Sequence, residues 1–177
     1  MVRDAANRPI QRRRDARCNM TITRRPETPA DEPFLRQMII ASVAQELMAW
    51  TWPEAIRDHL LGVQYTARVG SLHAHYPAAA SEIILVDGQP AGWIFLEESP
   101  EHIHLCEIMM SMEMRGRGAG TQVLRELLAD ADRAGKPVRL LVNVTNTRAI
   151  QLYERLGFVR TGGDELQHQM KRPAGRQ

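Results

Sequence analysis

The segment Arg115-Gly116-Arg117-Gly118-Ala119-Gly120-Thr121 carries more chemistry than any other stretch of the chain. It stands between an apolar, strand-like run and a long amphipathic stretch. Glycines at a strand-to-helix turn let successive backbone N–H groups approach a ligand closely, and the N-terminus of the following helix favours an anion. Such a turn can cradle a pyrophosphate, and arginines beside it can add charge-assisted contacts. Two other phosphate loops are excluded by the spacing. No Gly-Lys-Ser/Thr follows, as a Walker loop requires. Gly-x-Gly-x-Gly is not the dinucleotide fingerprint, and Arg139 stands where a ribose-binding acid would be sought. Taken alone, the segment also reads as a tight turn without a ligand.

It does not stand alone. About 25 residues further on comes Asn143-Val144-Thr145-Asn146-Thr147-Arg148-Ala149-Ile150-Gln151-Leu152-Tyr153-Glu154-Arg155-Leu156-Gly157-Phe158. Arg115-x-x-Gly118-x-Gly120 resembles the Gln/Arg-x-x-Gly-x-Gly/Ala signature of the GNAT superfamily of N-acetyltransferases. Asn146…Ala149…Leu152-Tyr153-Glu154…Leu156-Gly157-Phe158 is similar to that superfamily's second conserved block. Both occur in the family's order and at its separation. The resemblance extends, as an order of elements, from Thr21 to Arg172. One departure is Met112, at a position where the family often has proline; the loop should still form, with a looser entry.

The resemblance implies direct acetyl transfer from acetyl-CoA, a co-substrate, to a primary amine of a small molecule or protein, with no metal. It implies an α/β fold with a mixed, mostly antiparallel central sheet, splayed at the acetyl-CoA-binding strand, and helices on both faces. The cofactor's pantetheine would run along the strand ending at Met109 and Met110, and past Met112, pairing with backbone. Its pyrophosphate would sit beside Arg115 on the amides of Gly116, Arg117, Gly118, Ala119, Gly120 and Thr121. Asn146 would hydrogen-bond the cofactor arm, and Tyr153 would lie near the departing sulfur.

The residue types meet the physical demands of that reaction. An amine must be neutral to attack a thioester, so some group must accept its proton. Backbone N–H on the splayed strand can polarise the carbonyl. A tyrosine, with an ordinary pKa near 10, can protonate a leaving thiolate; Tyr153 is the expected acid, though its stripe with Ile150 and Leu156 also fits core packing. For the base, the strand over 101–110 offers His104 and Glu107. Strict alternation puts His104 with Cys106 and Ile108, and Glu107 with Ile103, Leu105 and Met109, on opposite faces unless a bulge intervenes. Family members often use a carboxylate on this strand, and apolar neighbours would raise the pKa of Glu107 into a useful range. Glu107 is the expected base; His104, a water and a purely structural carboxylate remain open.

These residues must be held by elements the pattern predicts. A strand over Thr21–Arg25 precedes a helix that begins in the cap-rich Thr28–Glu32 and runs to about Trp50. A second helix restarts at Thr51-Trp52-Pro53-Glu54, weakened at Gly62 and Gly70 and ending before Tyr76-Pro77. Strands over Glu82–Val86 and Ala91–Leu96 flank a hairpin turn at Asp87-Gly88, followed by the strand over 101–110. An amphipathic helix over Gly118–Ala134 is closed by Gly135. A strand over Val138–Val144, a helix capped by Thr145 or Asn146, and a hairpin around Gly162-Gly163-Asp164 complete the order β-α-α-β-β-β-α-β-α-β-β. The acceptor pocket is expected between the first two helices, the Trp50-Thr51-Trp52 junction and the last hairpin.

Length and composition bound the rest. A chain of 177 residues, 44% hydrophobic, can bury a full core. We expect one acetyltransferase domain over residues 20–172 and a short tail over 173–177. Residues 1–19 hold six arginines against Asp4 and Asp15; they read as a disordered tail, with Met20 as an alternative start. The body is left mildly acidic, which weighs against a nucleic acid partner. Two cysteines cannot build a disulfide framework, and His73-x-His75 lacks a third metal ligand nearby. No apolar run could span a bilayer. A cytoplasmic protein is the simplest reading; a homodimer stays open. The alternative function is a non-catalytic acyl-CoA-binding or sensing module, which would need the loop but neither Tyr153 nor a base.

Overall fold

The computed structural model describes residues 20–175. The expectations for the 1–19 tail, and for the last two residues of the C-terminal tail, lie outside the described residues. Seven strands form one sheet: β1 (Ile22–Pro26), β2 (Ala80–Val86), β3 (Gln89–Glu98), β4 (Ile103–Met110), β5 (Val138–Asn143), β6 (Val159–Gly163) and β7 (Gln167–Arg172). Their spatial order is β1-β2-β3-β4-β5-β7-β6. Every neighbouring pair is antiparallel except β4 and β5. That parallel pair is short, joining Ile103–Leu105 to Val138–Leu140 only. Beyond it the two strands part, so the C-terminal half of β4 keeps β3 on one side and has no strand on the other.

Helices α1 (Glu32–Glu46) and α2 (Glu54–His75) cover one face, and α3 (Ala119–Arg133) and α4 (Thr147–Arg155) the other. The mixed, mostly antiparallel sheet with helices on both faces is therefore as expected. The stripe Val123, Leu124, Leu127, Leu128 and Ala131 of α3 is buried against Ile84, Ile94, Leu105 and Leu140. On the opposite face Leu35, Ile39 and Val43 of α1 meet Ile83, Trp93 and Phe95. Burying each such aliphatic or aromatic side chain contributes roughly 1.5–3 kcal/mol.

Two boundaries differ from the periodicity reading. The first helix stops at Glu46, because Met48 turns left-handed (φ 49°) and starts a separate 3-10 turn over Ala49–Thr51. The second helix runs unbroken through both glycines. A Cβ on Gly62 would stand 3.3 Å from a guanidinium nitrogen of Arg36, so glycine here lets α1 come close. The Asp87-Gly88 hairpin forms as expected, with φ of 51° and 80°. Among the described residues no helix is long and apolar enough to cross a membrane.

Candidate active site

Where β4 and β5 part, a cleft of about 1340 Å³ opens, walled by α1 and α2 on one side and by the N-terminal ends of α3 and α4 on the other. Its α3 wall begins with the glycine-rich turn. Gly116 (φ 77°) and Gly118 (φ 92°) both take left-handed conformations, and Gly118 caps α3. The turn curls so that, among the described residues, the N–H groups of Gly116, Gly118, Ala119, Gly120 and Thr121 find no acceptor. Those amides and the positive end of α3 give an anion-binding cradle. Gly120 also permits close packing, since a Cβ there would stand 3.3 Å from Met110 Cγ.

The other expected cofactor residues are placed as follows. Met109 is buried on the α1/α2 face and Met110 is half-buried on the α3/α4 face, so both offer backbone to the opening. Met112 starts a 3-10 turn over Met112–Met114 and is exposed; neither it nor Arg117 lines the cleft. Ala119 is fully buried. The guanidinium of Arg115 is engaged within the protein. Nε donates to Met110 O (3.1 Å), Nη1 to Gln45 Oε1 (3.0 Å) and Nη2 to Ser42 Oγ (3.1 Å). Arg115 thus straps the loop to α1. Asn146 lines the cleft and caps α4, its Oδ1 accepting from the Ala149 N–H at 3.2 Å. Arg148, in the first turn of α4, lines the cleft 3.5 Å from where a Gly116 Cβ would stand. Sequence reading passed over it, since a charge in a first helical turn ordinarily faces solvent.

Tyr153 and Glu107 both line the cleft. Tyr153 projects from α4, its ring buried against Phe158 with centroids 5.5 Å apart. Burial, reinforced by the Glu107 charge, pushes its pKa up to about 12. Glu107 accepts a hydrogen bond from Arg68 Nη2 of α2 at 3.0 Å. Burial pushes its carboxyl above the ordinary range, and Arg68 pulls it part of the way back.

The face assignment from strict alternation is overturned. Phe95 pairs with Glu107 but Leu96 pairs with Leu105, so Cys106 is an extra residue, a β-bulge. The bulge puts His104 and Glu107 on the same side of the sheet, toward α2. His104 stacks edge-on against Tyr76 (5.0 Å), while Glu107 meets Arg68. Burial lowers the His104 pKa, keeping it neutral. Arg68 itself was missed by sequence reading; it is 39 residues from its partner, and no local pattern marks such a pair. Trp50 and Trp52 do not line the cleft, whereas Gln167 from the last hairpin does. Among the described residues no group of three or more His, Cys, Asp or Glu side chains could hold a metal ion.

Comparison with known proteins adds three findings. Residues 43–158 match the acetyltransferase (GNAT) family. An uncharacterized N-acetyltransferase of Methanocaldococcus jannaschii is 37% identical over an 81-residue alignment that covers 41% of this chain and 36% of that one. The chain thus spans little more than a third of that curated relative. The fold is similar to that of the PaiA N-acetyltransferase from Thermoplasma acidophilum, solved in complex with coenzyme A (TM-score 0.64, 18% identity, 87% of this chain and 99% of that one). It is also similar to the ribosomal-protein-S18-alanine N-acetyltransferase from Escherichia coli (TM-score 0.59, 17% identity, 89% and 96% covered).

Proposed function

Because the chain belongs to the GNAT acetyltransferase family, we propose that it moves an acetyl group directly from acetyl-CoA to a primary amine of a small molecule or a protein. One observation carries the reading. A cradle of backbone amides without acceptors, the half-buried Glu107 carboxylate and the buried Tyr153 phenol open into the same cleft, at the point where two parallel strands part.

Acetyl-CoA supplies, when bound, a thioester carbonyl that a neutral amine can attack. The amides of Gly116 and Gly118–Thr121 hold its pyrophosphate, helped by Arg148 from α4. The free edge of β4 at Met109 and Met110 pairs with its extended arm, and Asn146 Nδ2 donates to that arm. Arg115 keeps the loop against α1. Glu107 takes a proton from the acceptor nitrogen, directly or through water; its raised pKa makes it a better base than an exposed carboxylate. The N–C bond forms, the C–S bond breaks, the thiolate takes a proton from solvent, and Glu107 returns the proton it took to solvent. Tyr153 stays protonated at neutral pH because of its burial. A thiol of ordinary pKa, about 8.5, is too weakly basic as thiolate to strip such a phenol. The Tyr153 hydroxyl therefore acts on the sulfur as a hydrogen-bond donor whose contribution grows as charge builds.

Thiol release from acetyl-CoA across a panel of amines tests the reading. Release that depends on an amine, and is lost in Glu107→Gln, is expected. Binding of coenzyme A without release from any amine would instead favour the sensing module.

A further inference from the structure

One polar chain runs along the wall of the cleft from the glycine-rich loop to Glu107. Arg115 Nη2 donates to Ser42 Oγ at 3.1 Å. The same hydroxyl donates to Glu46 Oε1, one turn further along α1, also at 3.1 Å. Glu46 accepts in turn from Arg68 Nη1, at 3.3 Å to Oε2. Arg68 Nη2 then donates to Glu107 Oε2 at 3.0 Å. Four segments contribute: the loop, α1, α2 and β4.

The chemistry of each link gives the chain a direction. Ser42 is buried, at 5% exposure, and its single hydroxyl hydrogen is committed to Glu46 while its oxygen accepts from Arg115. A guanidinium is a planar fork, so Arg68 can face two carboxylates only in one orientation. Turning Arg115 therefore disturbs Ser42, then Glu46, then Arg68. Ser42 is buried and the Arg68–Glu107 contact half-buried, while Glu46 is exposed, so a double-mutant cycle is what shows how far these linked bonds act as a unit. The charged and titratable groups that act on or feel Glu107 are Arg68 of α2, Glu46 of α1, Tyr153 of α4, and Cys106 of its own strand.

We propose that Ser42, Glu46 and Arg68 are positioning residues that couple seating of the cofactor on the Arg115 loop to the orientation of Glu107 for the acceptor amine. The inference rests on the acetyl-CoA reading above. Coupling of this kind is reciprocal, so breaking it at the Arg68 end must change affinity at the cofactor end. Arg68 lies on the acceptor wall, so its effect on cofactor affinity reports the relay.

The test is a double-mutant cycle on coenzyme A affinity, read by calorimetry on the full chain. Arg68→Gln should weaken coenzyme A about threefold to tenfold, the range of mutations along coupled networks. In a Ser42→Ala background the same change should have no further effect. Arg68→Lys, which keeps the charge, should restore part of the loss. Gln64→Ala, one turn away on α2 and outside the chain of bonds, should leave affinity as in the wild type. Melting temperatures of all variants show whether each is folded; if Ser42→Ala is not, Glu46→Gln takes its place in the cycle. An Arg68→Gln variant with wild-type affinity overturns the relay, as does an equal loss with and without Ser42. Coenzyme A that fails to bind the wild type overturns the functional reading itself, a result the cycle cannot be confused with.

Discussion

The loop over residues 116–121 and the wall around Glu107 face one cleft but are built from different material. The loop works through main chain. Its amides are aimed by left-handed glycines and by the first turn of α3, and the Ala119 side chain points into the core. The wall works through side chains: Glu107 from β4, Arg68 from α2 and Tyr153 from α4, each buried or paired and each perturbed in its pKa. A cradle of amides recognises charge and shape and is indifferent to what happens at the sulfur. Ionisable side chains held out of water have the opposite property, because their protonation is what the reaction changes. Affinity should therefore follow chiefly the loop and rate chiefly the wall, with the Arg115–Ser42–Glu46–Arg68 chain as the proposed route between them.

The sharpest break of that division comes from Tyr153→Phe. The ring and its packing on Phe158 remain, and only the hydroxyl is lost. Turnover should fall roughly 100-fold or more under conditions where chemistry limits the rate. Coenzyme A affinity should stay within about twofold, since each carrier of affinity is intact. Wild-type turnover in this variant would make Tyr153 a packing residue, with no part in stabilising the charge on the departing sulfur. The converse variants are Gly118→Val and Gly120→Val. The first forces a branched residue into a φ of 92°, and the second drives a side chain toward Met110, 3.3 Å from the new Cβ. Coenzyme A affinity, by calorimetry, should drop at least about tenfold in either, from strain and a displaced backbone. Unchanged affinity in a folded variant would move the pyrophosphate elsewhere.

A third effect concerns pH. Glu107 must be ionised to take a proton, so kcat/KM should rise with pH through its raised midpoint. Arg68 pulls that midpoint down. Removing the cation in Arg68→Gln should therefore move the rising limb to higher pH, by about one pH unit, the lower end of what an adjacent arginine does to a carboxylate. A limb that stays in place would assign the base to His104 or to water.

The same contrast explains what could be read from the chain in advance. Gly116, Gly118, Gly120 and Asn146 are legible because a main-chain cradle and a helix cap are local: their residues lie within a few positions of one another. The element order was legible for a related reason, since periods of two and of three to four residues are local too. The wall was not. The Cys106 bulge has no period, and it reverses the face of every residue after it. Arg68, Ser42 and Arg148 are ordinary helix residues until topology brings them beside partners 39, 73 and about 30 residues away. The glycine in α2 misled for a similar reason: Gly62 weakens a helix in isolation, yet here it makes room for Arg36.

Asn146 belongs to both materials, and it sets the smallest and most discriminating prediction. Its Oδ1 is a structural acceptor, closing the first turn of α4 through the Ala149 N–H at 3.2 Å. Its Nδ2 is the part to which the proposed function assigns the cofactor arm. Serine is as good an N-cap as asparagine but carries no amide donor. Asn146→Ser should then keep the melting temperature while weakening coenzyme A about threefold to tenfold, the worth of one hydrogen bond. Asn146→Ala removes both functions and should cost about 1 kcal/mol of stability besides. Loss of the cap would also loosen the turn that carries Arg148, so alanine should bind coenzyme A more weakly than serine does. Equal, wild-type affinity in all three proteins would reduce Asn146 to its cap. The division between a main-chain cradle and a side-chain wall would then hold without a residue that spans it.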